Sequence, residues 1–187
     1  MSFSKSYSIY TIWHSTRTLE EFIELLKLNN IEVLIDVRSF PWSHKFPQFN
    51  KENLEKSMVE ESIAYIHLSE LGWRRKVLKN SHNTLWRHTA FRWYADYMET
   101  NEFKIGIESL KKIVTTSNNV AIMCSEAVWR RCHRSMISDY LKSYWWTIVH
   151  ILSNKKIEKH QYTQPARIVR WKLLYSPKGK KEIDTSN

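Results

Sequence analysis

The sequence predicts a three-layer α/β domain with a mostly parallel sheet built from βαβ units. Three observations predict it. Strand-like and helix-like patterns alternate along most of the chain. Two short runs, Ile31 to Val37 and Val120 to Cys124, are almost continuously apolar, as strands buried on both faces require. The first strand–helix–strand segment also has the length of a βαβ crossover, which is right-handed and makes its strands parallel.

Each element follows from local pattern. Ser8 to Trp13 is rich in β-branched and aromatic residues and reads as the first strand. Thr18 and Glu21 form the signature of a capping box, and Leu19, Phe22, Ile23 and Leu26 recur at helical spacing to about Leu28. Ile31 to Val37 is the second strand. Asn50 is placed to cap a helix to about Glu60, with Phe49 and Leu54 as a hydrophobic staple. Ile63 to Leu68 is a third strand, and Gly72 to Leu85 a long basic loop. Two helices follow, marked by Ala90 to Met98 and Phe103 to Val114. Val120 to Cys124 is the fourth strand. A helix is expected from about Cys132, then a core strand over Thr147 to Leu152 and a hairpin within Ile168 to Tyr175.

At 187 residues the chain is expected to form one domain over residues 1–175, followed by a basic tail over 176–187 that frays. No run approaches the roughly 18 apolar residues of a membrane span, so no membrane partner is expected. Met1 to Tyr10 lack the basic-then-apolar order of a secretion signal. Cys124 and Cys132 are the only cysteines and make no disulfide framework, so a reducing, cytoplasmic location is the expectation. The formal net charge is +10. Between Leu71 and Ala95 there is no acid, and Arg74, Arg75, Lys76 and Arg87 are interleaved with tryptophans. Basic side chains neutralise phosphates and aromatic rings stack on bases, so these four are the candidate nucleic-acid contacts.

Ligands of open α/β sheets bind beyond the carboxyl ends of the strands. Polar residues gather at those ends here: His14 and Ser15, then Asp36 and Arg38, then His67, then Cys124, Ser125, Glu126, Arg130, Cys132, His133 and Arg134. Cys124 is the candidate nucleophile, because a thiol before a helix N-terminus and near arginines is expected to have a lowered pKa. His14 and Glu126 are the candidate acid/base groups. Arg130 stands at C-x5-R spacing, a pattern in which an arginine clamps an oxyanion. Asp36 and Arg38 read either as an anion clamp or as a structural ion pair. No metal and no cofactor are assigned. Spacings of eight and one are not those of zinc loops, and neighbouring Cys132 and His133 would diverge on a helix. The sequence sets no oligomeric state.

The chain resembles the family known as domain of unknown function 488. The resemblance rests on Thr11-Ile-Trp-His-Ser15, Ile35-Asp-Val-Arg-Ser-Phe-Pro41, Pro47-Gln-Phe-Asn50, Phe91-Arg-Trp-Tyr-Ala-Asp-Tyr-Met98, Met123-Cys-Ser-Glu-Ala127 and Cys132-His-Arg134. It spans roughly Tyr7 to Tyr175. It implies that His14, Ser15, Asp36, Arg38, Glu70, Arg92, Tyr94, Asp96, Cys124, Glu126, Cys132, His133 and Arg134 are the family's polar positions. In outline the fold is Rossmann-like or rhodanese-like, by analogy of layout alone. The chain departs from the family where Trp13, Trp73 and Trp93 replace glycine, near Trp145-Trp146, and in Val128-Trp-Arg-Arg131, where the family carries proline. Three glycines and nine tryptophans in the chain match that departure.

Three functional readings follow. The first is a cysteine-centred enzyme acting on an anionic or nucleotide-like ligand. In it Cys124, His14 and Glu126 are catalytic, and Ser15, Asp36, Arg38, Arg92, Tyr94, Arg130, His133 and Arg134 bind substrate. The second is a nucleic-acid-binding module. The third is a divergent or engineered variant whose site the indoles block.

Overall fold

The computed structural model describes residues 7–73 and 80–177. Its elements are β1 (Ser8–Trp13), α1 (Leu19–Leu28), β2 (Val33–Asp36), α2 (Lys51–Glu60), β3 (Ala64–His67), α3 (Thr89–Met98), α4 (Asn101–Thr116), β4 (Val120–Cys124), α5 (Arg134–Ser143), β5 (Thr147–Ser153), β6 (Lys156–Lys159), β7 (Arg167–Val169) and β8 (Lys172–Leu174). One sheet runs β3-β2-β4-β1-β5-β6. Its first five strands are parallel and β6 is antiparallel to β5. β7 and β8 form the expected hairpin as a separate pair.

The helices divide between the faces as right-handed crossovers demand. From β1 the chain steps outward to β2 and β3, which puts α1 and α2 on one face. It then steps back over β2 to β4 and over β1 to β5, which puts α3, α4 and α5 on the other. Phe22, Leu25, Leu26, Leu54 and Met58 fill the first interface. Phe91, Tyr94, Phe103, Ile107, Met136 and Ile137 fill the second. The sheet therefore separates two cores. Along β2 and β4, Val33, Ile35, Val120, Ile122 and Cys124 belong to the α3–α5 side, and Leu34, Ala121 and Met123 to the α1–α2 side. Adjacent β1 and β4 send their loops to opposite faces, which opens the switch-point crevice between them.

Local chemistry sets the boundaries. Thr18 and Glu21 make the reciprocal capping box. Asn50 precedes α2 without capping it through its side chain, and its Oδ1 accepts instead from the Ser43 N–H at 2.6 Å. The helix expected from Cys132 starts at Arg134, because a short 3₁₀ turn over Trp129–Arg131 is followed by an extended Cys132. β6 was not legible: Lys156 to Lys159 is charged at three of its four positions and simply extends the edge of β5. Gly72 lets two loops touch, since a Cβ there would lie 2.3 Å from Ser39 Oγ and 2.8 Å from its backbone.

Two tryptophans occupy left-handed backbone. α5 ends in a Schellman motif, with Trp146 N–H on Leu141 O at 3.2 Å and Trp145 N–H on Lys142 O at 3.0 Å. Trp145 holds its αL position at φ 67°. The β7–β8 turn runs through Arg170 and Trp171, at φ 46° and 66°, the signs of a type I′ turn.

A polar chain crosses the α3–α5 side beneath β5. Asp139 Oδ1 accepts from His160 Nε2 (2.9 Å), so His160 Nδ1 accepts from His150 Nε2 (3.0 Å), and His150 Nδ1 accepts from the Thr11 hydroxyl (2.7 Å). Thr163 and Tyr175 also donate to Asp139. Trp129 stacks on His150 with centroids 4.0 Å apart. Burial, and then the neighbouring His160, push His150 from 6.5 down to about 2. The unfolded chain therefore takes up a proton near pH 6.5 that the folded chain refuses. Stability from this group is complete above pH 6.5 and falls as the solution is acidified below it. His150→Gln should reduce the slope of unfolding free energy between pH 6 and 4 by about 1.4 kcal/mol per pH unit, read from urea melts at each pH.

Candidate functional site at the β1–β4 crevice

The strand ends do converge. Trp13 pairs with Cys124 in the sheet register, and the ladder continues through His14 N–H to Cys124 O (3.2 Å) and Ser15 N–H to Ser125 O (2.9 Å). The polar residues nevertheless fall into two groups, one on each face.

The group on the α1–α2 face centres on Arg38. Its Nε lies 2.9 and 3.0 Å from the two Asp36 oxygens, and Nη2 donates to Asp36 Oδ2 at 2.6 Å and to Phe49 O at 2.8 Å. Tyr65 donates its hydroxyl to the same carboxylate at 2.8 Å. Burial opposes the charge on Arg38, but the Asp36 carboxylate more than restores it. Arg38 Nη1 lies 3.1 Å from His14 Nε2, and a guanidinium only donates, so Nε2 accepts and Nδ1 carries the ring proton. Burial, and then the Arg38 charge, lower His14 to about 4, which keeps the imidazole neutral. The ring stacks on Phe49 at 4.4 Å. Its Nδ1 is buried, and the Ser15 backbone favours a proton there. His14, Ser15, Arg38, Ser125 and Glu126 line a cleft of about 340 Å³ whose wall is Phe40, Trp42 and Phe46.

The group on the α3–α5 face is Cys124, Cys132, His133 and Arg134, all buried. Extended backbone at Cys132 (φ −124°, ψ 148°) and helical backbone at His133 (φ −58°, ψ −18°) turn the adjacent side chains toward each other. The divergence expected on a continuous helix therefore does not arise. His133 Nδ1 lies 3.6 Å from Cys132 Sγ and 4.0 Å from Cys124 Sγ, while Nε2 lies 3.1 Å from Val37 O. Arg134 donates Nε to Cys132 Sγ (3.4 Å), Nη1 to Ile12 O (2.6 Å) and Nη2 to Glu126 O.

The thiols reverse the sequence expectation. Proton sharing with Cys132, together with burial, raises Cys124 to about 12. Burial also opposes charge on Cys132, but the Cys124 S–H and the Arg134 charge outweigh it and bring Cys132 down to about 6. The reason is positional: α5 begins after Cys132, so the helix N-terminus and Arg134 serve Cys132 rather than Cys124.

Other residues fall outside both groups. Arg130 lies against Trp129 and pairs with Glu158 at 2.6 Å. Arg92 donates to Trp86 O, Tyr94 donates to Leu71 O at 2.8 Å, and Asp96 accepts from Ser81 and Asn83. His67 Nε2 bonds Arg38 O, and Glu70 lies in the 3₁₀ turn Ser69–Leu71. Arg74, Arg75 and Lys76 lie outside the described residues, and Arg87 is exposed. Sequence reasoning missed the Asp139–His160–His150–Thr11 chain and the aromatic wall, which no local spacing marks.

Fold and site together define a doubly wound α/β protein with a polar cleft at its switch point and a cysteine–histidine cluster beneath it. The chain belongs to the family described as Domain of unknown function DUF488, whose model matches residues 18–141. No curated protein and no solved structure gives a significant match. No helix among the described residues is long and apolar enough to cross a membrane.

Trp73 lies against His133 and Tyr94, with ring centroids 5.5 and 5.7 Å away. It covers the cysteine–histidine cluster from the α3 side. Trp73→Gly should therefore raise the rate of thiol alkylation in the native state by on the order of tenfold. An unchanged rate would show that Trp73 is no barrier.

Proposed function

We propose that the chain is an enzyme that takes an anionic, nucleotide-like substrate into the cleft between β1 and β4. The observation that carries the reading is one cleft combining a neutral imidazole, serine hydroxyls, a carboxylate and an aromatic wall. Trp42 and Phe40 are 62% and 68% exposed, and a planar base stacks on such rings. Ser15, Ser43 and Ser125 supply hydroxyl donors, and Lys45 Nζ lies 5.4 Å from the Phe46 ring centroid.

Roles follow from the protonation states. His14 is not the base, because Arg38 occupies its Nε2 and its Nδ1 is buried, so the ring forms a neutral floor to the cleft. Glu126 is the base: its Oε1 accepts from the Val128 N–H at 3.0 Å, which fixes the carboxylate and leaves the other oxygen for a proton. Arg38 positions His14, and Asp36 holds Arg38. Cys124 faces the α3–α5 side of the sheet, away from the cleft, and is not the nucleophile in this reading.

Isothermal titration with purine and pyrimidine nucleoside mono- and diphosphates, with inorganic phosphate alone, and with a short RNA tests it. A nucleotide should bind more tightly than phosphate, and Trp42→Ala should weaken it about tenfold, the worth of one stacked base. Absence of heat with every nucleotide at millimolar concentration would sink the reading. Binding of the RNA alone, with steep salt dependence, would replace it with the nucleic-acid module.

A further inference from the structure

We propose that Cys124, Cys132 and His133 bind one zinc ion through two thiolates and an imidazole Nδ1, with the fourth position open to water or another exogenous ligand. This inference does not rest on the cleft reading above. The three donor atoms lie within 4.8 Å of one another. Tetrahedral zinc with bonds of about 2.3 Å to sulfur and 2.0 Å to nitrogen sets neighbouring ligand atoms about 3.5–3.8 Å apart. The nitrogen-to-sulfur distances of 3.6 and 4.0 Å already approach that.

The surroundings match as well. Val37 O accepts from His133 Nε2, which fixes the tautomer with the Nδ1 lone pair facing both sulfurs. Arg134 Nε–H on Cys132 Sγ is the kind of outer hydrogen bond that steadies a metal thiolate. Two thiolates cancel the charge of a divalent cation, and Arg134 stays held by Ile12 O, Glu126 O and Cys132 Sγ. Soft sulfur with imidazole selects zinc over magnesium or calcium. Three protein ligands with one open position is the arrangement of reactive rather than purely structural zinc. Cys124, the most exposed of the three ligands at 7%, adjoins Ser125 of the cleft lining, with Sγ 4.0 Å from Ser125 Oγ.

The test uses the reduced, chelator-stripped full chain and Co²⁺ as a spectroscopic probe, followed by Zn²⁺. One equivalent should bind, giving a thiolate-to-cobalt charge-transfer band and tetrahedral d–d bands that Zn²⁺ abolishes. Zn²⁺ should also raise the melting temperature. Cys132→Ser and His133→Ala should each weaken cobalt binding at least about tenfold. If those variants do not fold, the wild-type spectrum decides alone. Uptake below about a tenth of an equivalent by the wild-type chain overturns the proposal. So does an intact mass two hydrogens short in the reduced preparation, which would reveal a Cys124–Cys132 disulfide.

A separate observation carries a second inference: the backbone at Trp145 and Trp171 is built for glycine. We infer that the codon written as tryptophan at these two positions is read as glycine in the cell that makes the protein. A Schellman C′ residue and the second central residue of a type I′ turn are the two places where glycine is most favoured, and a bulky side chain at φ near 67° is an outlier. Both indoles are exposed, 76% and 73%, so core packing does not demand them. The chain has three glycines where average usage of about 7% gives about thirteen, against nine tryptophans. Fragment-ion masses of the peptides spanning 145 and 171, from protein isolated from its native cell, decide it. Glycine at both is expected, and tryptophan at both overturns the inference. The Trp145→Gly/Trp171→Gly variant should melt at least about 2 °C higher than the chain as written, and no gain would remove the physical basis.

Discussion

Arg134 is a fully buried cation on which both halves of the site depend. Its guanidinium joins the last turn of β1 at Ile12 O, the loop after β4 at Glu126 O and the sulfur of Cys132. A charge so far from water is tolerable only when its hydrogen bonds are made and an opposite charge lies near. The Cys132 sulfur and two backbone carbonyls accept its hydrogen bonds. The crevice rim, the sulfur pair and the start of α5 are therefore fixed as one unit.

A second ion pair does the same work on the other face. Arg38 and Asp36 share several hydrogen bonds, and Tyr65, Phe49 and His14 complete the shell. The two units stand back to back across the sheet end, joined by backbone. His133 reaches Val37 O, next in sequence to Arg38, and His14 N–H reaches Cys124 O. The alternation of side chains along β2 and β4 forces this division. Asp36 and Cys124 lie near each other along the sheet, but successive residues point to opposite faces. One cysteine-centred crevice thus becomes a polar cleft over a sulfur–imidazole cluster.

Much of this was legible. The capping box at Thr18 and Glu21, the helical stripes and the two apolar strands each carry a local signal, and those elements formed with boundaries close to those expected. Polar side chains at strand ends are visible in sequence, so the residues that the fold brings to the crevice could be named from it. Their roles could not. Assigning the low-pKa sulfur to Cys124 assumed a helix just beyond it, and nothing local to Val128-Trp-Arg-Arg131 announces a 3₁₀ turn that delays the helix to Arg134. Arg130 matched a spacing but turned to Glu158 on β6, a strand whose three charged residues gave no sign of pairing.

The sequence alone determined the layer architecture, the direction of the sheet, and the gathering of His14, Asp36, Arg38, Cys124 and Glu126 at one rim. Period, capping and chain length dictate those features, and each is local. Only the tertiary structure decided which sulfur faces Arg134, which imidazole nitrogen faces Arg38, and that adjacent Cys132 and His133 aim at a common point. Those outcomes depend on burial and on partners more than a hundred residues away in sequence, such as Ile12 for Arg134. No window along the chain contains both members of such a pair, so no periodicity or spacing encodes them.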